Sequence, residues 1–172
     1  MDERFRLERV VTPQHVPAQR KVAELIRVPA VDPLRGIVVS DCIYALNTHF
    51  INGRTILCKG REACEYCEKV SLKWYGLIAL IPLHGDGVKW VQLTPPAAQS
   101  LLQQVMAAQV ELFKVGVIIR RRGKKVNSPV IVDLEDRTTY RATQIKPQTP
   151  EATIERVFGS RESARTNGRK AV

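Results

Sequence analysis

The most constraining feature of this chain is a group of three cysteines and one histidine within nineteen residues, His49-(x8)-Cys58-(x5)-Cys64-(x2)-Cys67. Three thiolates and an imidazole form a ligand set of closed, tetrahedral structural zinc sites. Between His49 and Cys58 lies Asn52-Gly53, the pair favoured in a two-residue type I′ hairpin turn. That turn pairs His49 with Ile56 and places His49 diagonal to Cys58 on one face. We therefore predict one structural zinc ion held by these four residues, with the CxxC pair forming a knuckle that closes the site.

Two other interpretations of the cysteines remain open. The sequence CEYC is also compatible with a redox-active pair or with iron–sulfur ligation, and reduced cysteines are common as small buried hydrophobic residues. Both alternatives leave His49 and Cys58 unexplained. Cys42 competes with His49 for the fourth ligand position, but it lies in the apolar run IVVSDCIY. The predicted hairpin favours His49, because it places the imidazole beside Cys58.

The positive charge of the chain is the second feature that constrains its function. The 172 residues are 44% hydrophobic, enough for one core, and carry a net charge of +10. The excess is concentrated in RRRGKK, residues 120–125, and in residues 159–172, where four cations face one acid. Basic blocks of this kind attract polyanions, so the composition favours nucleic acid as the partner. We expect no membrane association, because the chain has no apolar run of membrane-spanning length and no strongly basic amphipathic helix.

The chain divides into three predicted regions. Residues 1–34 are predicted to form an N-terminal arm. They contain four prolines and a short helical pattern at residues 18–28. Residues 35–146 form the predicted domain, with a zinc subdomain at about residues 47–70. Residues 147–172 are predicted to form a short helix over residues 150–158 and a flexible basic tail.

Within the domain, segments rich in β-branched and aromatic residues alternate with turn formers, as expected for strands. The predicted strands are residues 36–46, the two hairpin arms, and residues 71–83, 88–93, 116–123, 129–136 and 139–145. One long helix is predicted from the first turn at Pro95-Pro96 to Phe113. The fold class is therefore mainly β with one long helix (α+β). The helix between the third and fourth main strands is typical of an OB-fold, a five-stranded barrel, here with an inserted zinc knuckle.

The sequence carries none of the common enzyme motifs, including HExxH, GxxxxGK[ST] and GxSxG, so we expect a non-enzymatic protein. Cations next to flat side chains are what single-stranded nucleic acid requires. Because adjacent strand residues face opposite sides, Lys73 and Tyr75 share a face that we expect to be the outer one, with Trp74 on the other. The candidate nucleic-acid contacts are Lys73, Tyr75, Lys89, Trp90, Arg120, Arg121, Arg122, Lys124 and Lys125.

The H…C…CxxC order, inside a basic β-rich domain with interspersed aromatic residues, resembles the zinc-containing single-stranded-DNA-binding proteins of T4-type phages. The resemblance rests on the four candidate metal ligands. It implies an OB-fold with a zinc-stabilised subdomain and a role in coating single strands during replication and recombination. Those proteins end in an acidic tail that recruits partner enzymes, whereas this chain ends in the basic sequence ARTNGRKAV. The resemblance therefore implies strand binding without that docking device.

The predicted function is non-enzymatic, largely sequence-independent binding of single-stranded nucleic acid, DNA in the first place. The alternative is a zinc-containing accessory subunit of a larger nucleoprotein complex, docking on a protein partner through its N-terminal arm or its basic tail. The first residues, MDERFRLERVV, lack the apolar stretch of a signal peptide. We therefore expect a cytoplasmic protein, located in the host cytoplasm if a phage encodes it.

Overall fold

A computed structural model describes residues 23–84, 87–125, 127–135 and 146–159. The described part is mainly β. Its strands are β1 (Glu24–Arg27), β2 (Leu34–Val38), β3 (Tyr44–Ile51), β4 (Arg54–Leu57), β5 (Lys73–Pro82), β6 (Lys89–Leu93), β7 (Gly116–Arg121) and β8 (Val130–Glu135). Its helices are α1 (Pro95–Ala107) and the short α2 (Glu151–Ile154), which continues into a π-helical turn at Glu155–Gly159.

The strands form one open, mixed sheet in the order β1-β6-β5-β2-β7-β8. The central strand β5 is 10 residues long and pairs with β6 along one edge. Along its other edge it pairs with β3 near Lys73 and with β2 near Pro82. The β3–β4 hairpin therefore projects from one end of the sheet.

The predicted five-stranded OB barrel is not seen in the described residues, and the predicted first strand explains the difference. Residues 36–46 do not form one continuous strand, because five residues, 39–43, stand opposite only two of β5. At this bulge the backbone of Ala79 bonds to the Val39 N–H at 2.8 Å and to the Ser40 hydroxyl at 3.2 Å. Both halves of the interrupted strand then lie along the same edge of β5, and the sheet stays open.

Helix α1 begins where predicted but has 13 residues rather than the predicted long span to Phe113. It ends in a Schellman motif: the Val110 N–H bonds to the Val105 carbonyl and the Gln109 N–H to the Met106 carbonyl. The residue in the left-handed position is Gln109, with φ 53°. Glycine usually occupies this position, so the sequence carried no recognisable stop signal.

Both faces of the central sheet are buried. On one face, Ile78 and Leu80 of β5 pack under α1, whose buried residues include Leu101 and Val105. On the other face, Leu77 and Ala79 pack with Trp90 and with residues of the C-terminal segment. Residues of β5 therefore alternate between two cores rather than between core and solvent.

The C-terminal segment confirms the predicted short helix over residues 150–158 and covers the second core. Ile154 is fully buried. Two side chains of this segment, Thr153 and Arg156, donate hydrogen bonds to the Ala23 carbonyl at 2.8 and 3.1 Å. The chain that follows Ala23 is strand β1, parallel to β6, so the helical pattern predicted for residues 18–28 is wrong at residues 24–27. The predicted strand at 139–145, most of the N-terminal arm and the basic tail lie outside the described residues.

Candidate metal centre

The β3–β4 hairpin has the predicted register. Asn52 and Gly53 have φ angles of 49° and 76°, as a type I′ turn requires. The ladder pairs His49 with Ile56, and the Cys58 N–H extends it by bonding to the Asn47 carbonyl at 2.9 Å. His49 and Cys58 consequently lie on one face of the hairpin, offset by one diagonal step.

The His49 imidazole is fully buried and held in one orientation. Its Nδ1 lies 3.1 Å from the Val70 carbonyl, so Nδ1 carries the proton and donates it to that oxygen. The Nε2 atom is left as an acceptor and lies 3.5 Å from the Cys67 Sγ. A carbonyl that fixes the tautomer and ring orientation of histidine is a common outer-shell partner in metal sites.

The segment that carries Cys64 and Cys67 turns back over the hairpin through a series of backbone hydrogen bonds. The Cys67 N–H bonds to the Cys64 carbonyl at 3.3 Å, and the Val70 N–H bonds to the Tyr66 carbonyl at 2.9 Å. The second of these bonds also positions the Val70 carbonyl for His49. The knuckle and the imidazole therefore fix each other's positions.

The four predicted ligands are brought together: their ligand atoms all lie within 4.8 Å of one another. The Cys58 and Cys67 Sγ atoms are 3.4 Å apart, close to the edge of about 3.7 Å expected for a tetrahedron with Zn–S bonds near 2.3 Å. Cys42 packs against the second core instead. The group is thus compact enough to hold one metal ion, and His49 rather than Cys42 supplies the fourth position.

The three thiols interact electrostatically. Burial raises the pKa of Cys64, but hydrogen bonds from the backbone N–H groups of Tyr66 and Lys59 and from the Cys67 and Cys58 thiols together outweigh it and lower the pKa to about 7. Cys67 shows the opposite shift: its hydrogen bond to Cys58, together with burial and Cys64, raises its pKa to about 12. The fold therefore holds these sulfur atoms too close together for all of them to ionise alone. A cation at the centre would remove this repulsion, so the donor set fits a metal ion.

The predicted nucleic-acid contacts do not form one surface. Lys73 and Tyr75 lie at the beginning of β5, next to the metal centre. Lys89 pairs with Leu80 near the other end of β5, and residues 120–125, hereafter the basic tip, lie beyond that end. The two ends of the 10-residue strand are about 30 Å apart at roughly 3.3 Å per residue.

The predicted cations differ in their surroundings. Lys89 is paired with Glu24 at 2.8 Å and Arg120 with Asp133 at 3.0 Å. Arg121 donates to the carbonyls of Val28 and Ser128, which gives it a structural role. The remaining four, Lys73, Arg122, Lys124 and Lys125, are exposed, and none is ion-paired with another described residue. Three of these four unpaired cations belong to the basic tip, and the fourth, Lys73, lies at the other end of β5.

The aromatic side chains correct the predicted interface. Trp90 is 1% exposed and packs edge-to-face on Tyr44, with ring centroids 5.7 Å apart, so it cannot stack on a base. Tyr75 is half-buried. Among the described Phe, Tyr and Trp residues, the exposed rings are Trp74, at 38%, and Phe50, at 54%. The sequence prediction missed Phe50, although the predicted hairpin register already placed it on the face opposite His49.

No helix of the described residues is both long enough and apolar enough to cross a membrane. Comparison with protein-family models, curated proteins and solved structures gives no match, so the function of this chain is inferred from its geometry and charge.

Proposed function

We propose that this protein is a non-enzymatic, zinc-stabilised protein that binds single-stranded nucleic acid, DNA in the first place, largely without sequence preference. The observation that carries the proposal is the basic tip, where exposed cations are presented on a well-supported hairpin. The net charge of +10 points to the same class of partner.

The metal in this proposal is zinc, with a structural role. Three sulfur donors and one imidazole nitrogen suit Zn²⁺ in a closed tetrahedral site, and such a site has no open position for a substrate. The metal would hold the hairpin and the knuckle together, since none of residues 50–75 is buried. A segment with so little apolar burial gains its order from metal binding.

The basic tip has the properties of a phosphate-binding element. Its stem is the β7–β8 ladder, which ends at the pair Arg121 and Val130. Beyond the ladder, the Arg122 N–H bonds to the Pro129 carbonyl at 2.8 Å and the Ser128 N–H to the Lys125 carbonyl at 2.9 Å. Because the backbone is held in place, the exposed cations lose less freedom when they bind phosphates.

The test is a fluorescence-anisotropy titration of the full chain, with its zinc content measured, against a labelled oligothymidylate and a duplex at several salt concentrations. We expect preference for the single strand and an affinity that falls steeply with salt, because binding releases counterions from the phosphates. Equal or tighter binding to the duplex, or no binding at low salt by the zinc-loaded protein, would contradict the proposal.

A second candidate is an accessory subunit that docks on a protein partner. The observation that favours it is the exposure of aliphatic side chains, namely Leu72 at 53% and Val31 at 76%. Such a subunit would bind neither oligonucleotide and would change its elution volume when mixed with its partner. The titration above distinguishes the two candidates.

A further inference from the structure

The geometry points to Phe50 and Trp74 as the residues that stack on nucleic-acid bases, with Lys73 between them as a phosphate contact. This inference rests on the proposed function and assigns the base-contacting surface to the metal lobe, residues 47–74. It differs from the sequence prediction, which chose Tyr75 and Trp90.

Phe50 and Lys73 form a ready pair of a flat ring and a cation. Lys73 stands opposite Thr48 in the β3–β5 ladder, so Phe50 is its diagonal neighbour on the same face. The Lys73 Nζ lies 5.9 Å from the centroid of the Phe50 ring, within the range of a cation–π contact. The Lys73 ammonium group lies near one face of the Phe50 ring. The more exposed remainder of the ring can accept a base whose phosphate reaches that ammonium group.

Trp74 offers a second ring on the opposite face of β5. It stands opposite Asn47 in the ladder, and the Asn47 carbonyl accepts the N–H of the metal ligand Cys58. The position of Trp74 is therefore set by the same hydrogen bonds that build the metal centre. The β5–β6 ladder begins only at Gly76, so the edge of β5 at Lys73 and Trp74 is not covered by β6. A strand that passes around this edge can meet one ring on each face.

Nucleic acid fits this surface better than a protein partner does, because of its charge. The exposed cation Lys73 lies beside the Phe50 ring. Arg54 adds a second exposed cation at the hairpin turn, where it pairs with Ile51 on the opposite face. Single-stranded nucleic acid supplies both unstacked bases and phosphates, and base stacking on aromatic side chains tolerates any sequence. An aliphatic protein surface would leave these cations without a counter-charge.

The first experiment uses tryptophan fluorescence. The chain has two tryptophans, the exposed Trp74 and the buried Trp90. We expect unlabelled oligothymidylate to quench the emission of the zinc-loaded protein, because a base stacked on an indole quenches it. The quenching should disappear in Trp74→Phe. Saturable quenching that persists in Trp74→Phe would overturn the assignment of Trp74.

The second experiment measures affinity by anisotropy. We expect Phe50→Ala and Trp74→Ala each to raise the Kd about ten-fold, the effect of one lost stacking contact. The salt dependence should keep its slope, because no cation is removed. Phe50→Tyr and Trp74→Phe, which keep a ring, should restore most of the affinity. Met106→Ala is the matched control, since Met106 is 48% exposed on α1, away from the lobe.

The outcomes separate the two claims. If the wild-type protein binds no oligonucleotide, the proposed function fails and this inference fails with it. If the wild-type protein binds in a salt-dependent manner and the alanine variants at Phe50 and Trp74 retain one zinc ion and wild-type Kd, only this inference is overturned. In that case the exposed rings belong to a different interface.

Discussion

The metal lobe and the basic tip lie at opposite ends of β5, and they are held in place by different means. The lobe has no buried residue between Phe50 and Tyr75, and its order depends on the ligand group around His49. The tip extends from β7 and β8, whose residues Ile119 and Val132 lie in the core under α1. A chain of this size can thus project two exposed elements, one built around the ligand group of His49 and the other supported by the hydrophobic core.

Because the two elements are supported differently, we predict that removal of one metal ligand unfolds the lobe and leaves the tip folded. Cys64→Ser leaves an incomplete site, and the binding free energy of structural zinc, on the order of 10 kcal/mol in small zinc domains, is folding free energy for the segment it orders. We expect loss of bound zinc and loss of amide-exchange protection in residues 47–70, with protection retained in α1, β7 and β8. Zinc content and hydrogen exchange with mass spectrometry are the measurements.

The matched control is Cys42→Ser, which removes a thiol that lies outside the ligand group and packs against the second core. It should keep the full zinc content. If Cys64→Ser retained stoichiometric zinc and wild-type protection of the lobe, the dependence of the lobe on the metal would be refuted.

The sequence predicted the metal centre more successfully than the sheet, and the reason is local chemistry. Asn52-Gly53 determines the hairpin register within two residues, so the position of His49 beside Cys58 followed from the sequence alone. The interruption after Val38 depends on a hydrogen bond from the Ala79 backbone to the Ser40 hydroxyl, 39 residues away. No local pattern indicates such a long-range bond. The open sheet could therefore not be distinguished from an OB barrel by sequence.

The prediction of which aromatic residues are exposed failed for a related reason. Strand alternation identifies an outer face only when one face of a sheet is in solvent. Here α1 covers one face and the C-terminal segment covers the other, so Trp90 is buried whichever way it points. Phe50 and Trp74 are exposed because the sheet narrows to β3, β4 and the beginning of β5 at the lobe, a property of the topology and not of the local sequence.

A side chain of α1 helps to hold the stem of the basic tip. The Gln104 side chain donates to the Val132 carbonyl at 2.7 Å and accepts from the Leu134 N–H at 3.1 Å, as a neighbouring strand would on the outer edge of β8. Gln104→Ala leaves both backbone groups without this hydrogen-bond partner, a loss that lowers the free energy of unfolding by about 1–3 kcal/mol. We expect a lower free energy of unfolding in urea and faster exchange at Leu134, with zinc content unchanged.

Gln103→Ala is the control for that substitution, because Gln103 is an exposed neighbour on the same helix and both changes remove the same amide. Because alanine has a higher helix propensity than glutamine, Gln103→Ala should not lower the stability. Equal stability changes in the two variants would refute the protection of the β8 edge by Gln104. An uncovered strand edge also favours self-association. Analytical ultracentrifugation of Gln104→Ala at increasing protein concentration would detect this self-association.

Substitution of the exposed cations of the basic tip should have the smallest effect on folding and the most direct effect on nucleic-acid binding. Replacing Arg122, Lys124 and Lys125 by glutamine removes three exposed cations from the basic tip and no described ion pair. We expect a melting temperature close to wild type. The slope of log K against log salt for a single strand should become shallower by about 2, since each lost phosphate contact contributes about 0.7. A matched set with Arg27, Lys114 and Lys146 replaced by glutamine has the same net charge, and these three exposed cations lie outside both the basic tip and the metal lobe. If the two sets changed the slope equally, the strand would be responding to total charge, whereas a change confined to the first set would locate the phosphate contacts at the tip.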